Sequence, residues 1–157
     1  MKDKEKVLVF DLDDTLFDST NQPPDNGKKW GIKLFSGFRK ILESRKNINI
    51  LVTRGEKERQ NRKIDVLQIR RYFNIIHIVD LDSDKFNKFS EIKNDYNSHE
   101  IIIIGNRIDC EIRYGNQLGL KTIHIEHGKY STVRAKDDFE VPSIKIGVAD
   151  IVNLNWI

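Results

Sequence analysis

The chain has 157 residues, 38% apolar and 32% charged, with a net charge of +3; this fits one globular domain over residues 1–157 and excludes a disordered or collagen-like chain. Its longest apolar runs, VLVF and IIIIG, are strand-sized, so no membrane partner is expected, and the short apolar stretch after MKDKEK does not suit a signal peptide, which makes a cytoplasmic location the expectation. Cys110 is the single cysteine, which leaves oxygen and histidine ligands for any metal, and Lys and Arg scattered among nearly as many acids do not specifically indicate nucleic acid.

A first strand is predicted at residues 7–10, ending in Asp11, Asp13 and Asp14. Like charges repel in such a cluster unless a cation joins them, although Asp and Thr are also ordinary turn formers and caps. The loop-like stretch 18–29 follows, punctuated by Pro-Pro and Asn-Gly. Nearby Lys28, Lys29 and Trp30 offer charge and stacking to a substrate, but the favoured expectation is a solvated loop with Trp30 folded onto the body. Helical patterns at Phe38, Ile41 and Leu42, at Ile64, Leu67 and Ile69, and at Phe89, Ile92 and Tyr96 precede strands predicted at 49–52, 75–79 and 101–104. A fourth helix opens near Asp109, closes at Gly119, turns Ile112 and Leu118 inward and leads to a strand at 122–125. From Val141 to Ile157 a short terminal element is expected to pack apolar residues on the sheet.

These strands are nearly continuous in apolar residues, as in a parallel sheet covered on both faces. The alternation predicts an α/β fold: a three-layer, doubly wound, Rossmann-like parallel sheet of about five strands. Such sheets bind ligands at the carboxyl ends of their strands. Here those ends read DLDD, VTRG and GNRID, and Lys85 opens the helix before the fourth strand. Singly, Thr53 reads as a cap, Lys85 as a solvated charge and Gly105-Asn106 as a turn. Together they bring carboxylates, a hydroxyl and an ammonium to one rim.

The motifs DLDDT, VTRG, Lys85 and IIIIGNRIDCEI stand in the order and at about the spacing of the haloacid dehalogenase (HAD) superfamily, which the chain resembles from residue 7 to about 128. Most members are Mg²⁺-dependent phosphatases. The resemblance implies that Asp11 attacks phosphorus, giving an aspartyl-phosphate, and that Asp13 protonates the leaving oxygen and later activates water. It implies Mg²⁺ held by the Asp11 carboxylate, the Asp13 carbonyl and the Asn106 side chain, with Thr53, Arg54 and Lys85 on the phosphoryl oxygens. Lys88 is the runner-up to Lys85, Asp109 and Glu111 are further acids beside the site, and Asp14 is structural. An acid at Asp13 favours phosphate chemistry over halide displacement, which needs no proton donor. No catalytic role is expected for His77, His99, His124 or His127.

Two departures stand out. Asn106 replaces the acid usual at that position and brings no charge to the ion. Neither residues 15–38 nor 53–85 leave room for an inserted cap, so the chain resembles the capless type, similar to the superfamily's magnesium-dependent phosphatases. An open site suits a bulky phosphorylated substrate, such as a phosphoprotein, a nucleic-acid end or a large metabolite, unless a second subunit of an oligomer supplies the lid. The leading expectation is a Mg²⁺-dependent phosphomonoester hydrolase. The alternative is a degenerate HAD-fold protein that binds a phosphorylated ligand or partner with little turnover. A receiver-type signalling domain is disfavoured, because its phosphorylated Asp ends a later strand.

Overall fold

The computed structural model describes residues 4–137, 139 and 143–157. Six strands form one sheet: β1 (Val7–Phe10), β2 (Ile48–Arg54), β3 (Ile75–Val79), β4 (Ile101–Gly105), β5 (Lys121–Ile125) and β6 (Ile144–Ile146). Their order is β3-β2-β1-β4-β5-β6, and every neighbouring pair is parallel. The expected doubly wound sheet is present with one strand more than the five anticipated. That strand, Ile-Lys-Ile, is too short to show a period, and it forms by pairing with β5 at the sheet edge.

Alternate residues of the strands feed two separate cores. Leu8, Phe10, Leu51 and Ile102 meet Phe38 and Leu42 of α1 (Phe38–Glu43) and Ile64 of α2 (Lys57–Val66) on one face. Val7, Val9, Val52 and Ile103 meet Phe89 and Ile92 of α3 (Asp82–Asp95) on the other, where Tyr114 of α4 (Arg113–Gln117) also packs. Burial on both faces is why the strands read as unbroken apolar runs. Fully burying one such side chain contributes about 1.5–3 kcal/mol.

The connection from β1 to α1 is irregular, pinned by isolated bridges of Phe17 to Asp13 and Leu34. Trp30 is buried: its indole N–H donates to the Pro23 carbonyl at 2.9 Å, and the Arg59 guanidinium of α2 lies 5.1 Å from its ring centre. The indole therefore belongs to the body, as expected, while Lys28 and Lys29 are exposed. At the chain's end Ile151, Leu154 and Ile157 join the first core, as the apolar pattern anticipated; Val141, where that element was expected to begin, lies outside the described residues. Gly37 makes this contact possible, since a Cβ there would lie 2.9 Å from the Val152 nitrogen and its φ is +101°.

The strand order reverses at β1, which lies between β2 and β4. A crevice opens at the carboxyl end of such a switch-point strand. Asp11 follows β1 directly, its N–H donating to the Ile104 carbonyl at 2.9 Å.

Candidate active site

A cavity of about 380 Å³ lies at this switch point, and its walls include Asp11, Asp13, Arg54, Lys85, Asn106 and Glu111. The sequence places these residues at the ends of β1, β2 and β4, in the first turn of α3, and in a π-helical turn, Ile108–Ile112, that leads into α4. Single π-turns recur at functional sites because they redirect one side chain. Here the turned side chain is Glu111. It lies so close to β4 that a Cβ on Gly105 would sit 2.5 Å from the Glu111 Cβ.

Lys85 joins the two buried acids. Its ammonium donates to Asp11 Oδ1 at 2.8 Å and to Glu111 Oε1 at 2.6 Å. The Thr15 hydroxyl donates to Asp11 Oδ2 at 3.1 Å, and Glu111 Oε2 accepts the Arg107 N–H at 3.2 Å. Lys88 instead pairs with Glu91 on the surface, so Lys85 is the lysine of the site. Asp109 is held by Arg107 at 3.0 Å, and Arg107 also pairs with Asp82 at 2.9 Å.

Asp13 is held from α2. Lys63 Nζ donates to its Oδ1 at 2.7 Å and Gln60 Nε2 to its Oδ2 at 2.9 Å. Thr53 is fully buried, and its hydroxyl accepts from the same Gln60 Nε2 at 2.7 Å. Sequence reasoning missed both Gln60 and Lys63. Asn106 is oriented by a hydrogen bond from Nδ2 to the His127 carbonyl at 3.1 Å, which leaves Oδ1 as its free acceptor. The His124 ring donates from Nε2 to the Asn106 carbonyl at 2.9 Å.

Asp14 adopts φ +57° and accepts the Thr20 N–H and hydroxyl, both at 2.8 Å. Gly128 is needed against it, since a Cβ there would meet Asp14 Oδ2 at 2.5 Å. His127 Nε2 lies 2.9 Å from Asp18 and 3.6 Å from Asp14. These contacts tie the segment after β1 to the loop after β5, the structural role expected of Asp14. The cavity wall also carries the cations Arg54, Arg107 and Lys129 and the ring of Tyr130, beside Asp82 and the polar Ser19, Thr20 and Gln22.

Burial, reinforced by the charge of Glu111 and opposed by Lys85, pushes the Asp11 carboxyl from its usual 3.8 up to about 7. A folded-state value above the unfolded one means that the folded protein holds the extra proton. The associated stabilisation is complete below about pH 4 and is lost as pH rises towards 7. Asp11→Asn removes this loss, so without divalent ions its melting temperature should climb relative to wild type between pH 4 and 7 and then level, by roughly 2–4 °C per kcal/mol. Calorimetry in a chelator checks this; parallel wild-type and variant curves would contradict it.

No protein-family model matches the chain. Over 47 residues it is 36% identical to glyceraldehyde 3-phosphate phosphatase of Methanopyrus kandleri, a match that covers 30% of this chain and only 20% of that protein. Among solved structures, a protein of Clostridium difficile assigned as a phosphatase superposes with a TM-score of 0.70 at 18% identity, over 98% of this chain and 99% of that one. YfnB of Bacillus subtilis, assigned as a HAD-hydrolase and solved bound to magnesium, gives 0.69 at 15% identity over 99% and 100%. The haloacid dehalogenase-like family protein SP0104 of Streptococcus pneumoniae gives 0.64 at 13% identity over 96% and 98%. The chain has the HAD-like hydrolase fold that its motifs resemble.

Proposed function

We propose that the protein is a Mg²⁺-dependent phosphomonoesterase that works through an aspartyl-phosphate on Asp11. The observation that carries this reading is the buried Asp11 carboxylate at the switch-point crevice, one oxygen held by Lys85 and the other by Thr15, on the wall of a polar cavity. The names of the fold's solved relatives and of the short curated match agree with it.

The residues fit a hard cation. Asp11, the Asp13 carbonyl and Asn106 Oδ1 offer only oxygen, and the Nδ2 bond of Asn106 leaves that amide oxygen available. Asp11 and Glu111, both buried, share the single cation Lys85, an imbalance that a divalent ion would offset. When bound, the ion neutralises charge on the phosphate and holds Asp11 ionised.

In this reading a carboxylate oxygen of Asp11 attacks phosphorus and the bond to the leaving oxygen breaks. That oxygen keeps the electron pair and takes a proton from Asp13. In the second half Asp13 takes a proton from the attacking water, the bond from phosphorus to Asp11 breaks, and inorganic phosphate leaves. Lys85 and Arg54 bear on the phosphoryl oxygens from the cavity wall. Thr53 is fully buried and not among the cavity's lining residues, and it is linked to the site through its bond from Gln60. In this reading the site is uncapped, since neither residues 15–38 nor 53–85 leave room for an inserted cap, and an open site suits a bulky phosphate ester.

Hydrolysis of phosphorylated metabolites, nucleotides and phosphopeptides, screened with and without Mg²⁺, tests the reading. Mg²⁺-dependent phosphate release is the expected result. Tight binding of a phosphate ester with no release would favour the degenerate binder, a reading motivated by the uncharged Asn106.

Asn106→Asp should lower the Mg²⁺ concentration for half-maximal activity by about ten- to a hundredfold, because a full charge attracts the ion more strongly than an amide dipole. Metal titration of both proteins measures it. Unchanged or weaker affinity would mean that residue 106 does not face the ion.

A further inference from the structure

Helix α2 reads Lys-Glu-Arg-Gln-Asn-Arg-Lys-Ile-Asp-Val, a sequence suited to a solvated surface. Its start is capped by Glu56, whose carboxylate accepts the N–H groups of Glu58 and Arg59. Yet Gln60 and Lys63, three residues apart and so on one face, are 2% and 5% exposed. Burying an amide and an ammonium is unfavourable unless each finds a partner. An apolar residue would serve a purely packing role better, as Ile64 does beside them.

Their partners are residues of the candidate site. Lys63 takes one oxygen of Asp13 and Gln60 the other, at 2.7 and 2.9 Å. The Gln60 amide nitrogen also reaches the Thr53 hydroxyl at 2.7 Å and the Arg54 carbonyl at 3.3 Å. One nitrogen thus links the end of β2 to the acid that follows β1. The Asp13 side chain is 30% exposed and lines the cavity, so without these donors it is free to change rotamer.

We propose that Gln60 and Lys63 are positioning residues: together they hold the Asp13 carboxyl in the orientation from which it exchanges a proton with the leaving oxygen, and Gln60 keeps Thr53 in step with it. This rests on the reading of Asp13 as the leaving-group acid. Neither residue touches the reacting atoms. Misplacing a reacting group by about 1 Å commonly costs a hundredfold in rate, so their contribution belongs to the step that needs the proton. An alkyl phosphate has a poor leaving group and depends on that proton, whereas 4-nitrophenyl phosphate depends on it little.

Steady-state kinetics of wild type, Lys63→Met, Lys63→Arg and Asp13→Asn on an alkyl phosphate and on 4-nitrophenyl phosphate tests the proposal. For Lys63→Met, kcat should fall about ten- to a hundredfold on the alkyl ester and far less on the aryl ester, with little change in KM. Lys63→Arg should recover part of the loss, and Lys63→Met should add little once Asp13 is already Asn. Equal losses on both esters, or full additivity with Asp13→Asn, would overturn the proposal. Crystal structures of Lys63→Met and Gln60→Ala give a readout independent of turnover, in which the Asp13 carboxylate should leave its wild-type position; an unmoved carboxylate would also overturn it. A wild type that turns over neither ester would sink the phosphatase reading itself, and the Asp13 position in the variants would then decide the positioning role alone.

Discussion

Asp11→Asn is expected to fold and to lose roughly 10⁴-fold or more of the wild-type rate, the scale on which removing one member of a catalytic set is felt. The substitution is nearly isosteric, and Lys85 retains its 2.6 Å bond to Glu111, so the buried cation keeps a partner. What disappears is the proposed nucleophile, since an amide oxygen attacks phosphorus far more weakly than a carboxylate. The variant should still bind phosphate esters through Arg54 and Lys85. Circular dichroism together with phosphate release on the best substrate provides the check. A folded variant with most of the wild-type rate would remove Asp11 from its assigned role.

The second large effect is on stability. Lys85→Met leaves Asp11 and Glu111 facing each other, both buried, with their shared cation gone. Breaking a buried ion pair by removing one partner costs about 3–5 kcal/mol, which in a chain of this size lowers the melting temperature by roughly 6–20 °C. The loss should be greatest at neutral pH in a chelator. It should shrink as pH falls through about 7, where Asp11 binds a proton and the repulsion falls. Adding Asp11→Asn to Lys85→Met should restore part of the stability. A Lys85→Met protein that melts within about 2 °C of wild type at neutral pH would mean that the two carboxylates are not held by this lysine.

The parts of the structure legible in the sequence are those with a local signature. Val7–Phe10 and Ile101–Gly105 are covered on both faces, so their apolar runs announce a parallel sheet and place Asp11 and Asn106 just beyond two adjacent strands. Lys85 could be anticipated because it falls in the first turn of a helix that an apolar period had already located.

The clamp on Asp13 was hidden for the opposite reason. Gln60 and Lys63 lie 47 and 50 residues from their partner on a helix whose charges resemble a solvated face. The signal that remains is their three-residue spacing, seven and ten positions after Thr53 in the chain. Glu111 was recognised as a nearby acid, but its bond to Lys85 depends on the π-turn, which has no distinct period. The tie from His127 to Asp18 spans 109 residues and follows from topology alone. Strand β6 is too short to carry a pattern of its own.

The central claim is that phosphorus becomes bonded to Asp11 during turnover. Mixing the protein with Mg²⁺ and its best substrate, quenching in acid within the first turnover and mapping the digested protein by mass spectrometry tests this directly. The account predicts one hydroxylamine-labile phosphoryl group on the peptide that carries Asp11, absent from Asp11→Asn. Turnover by the wild type with that peptide unmodified under the same quench, or with the phosphoryl group on another residue, would contradict it.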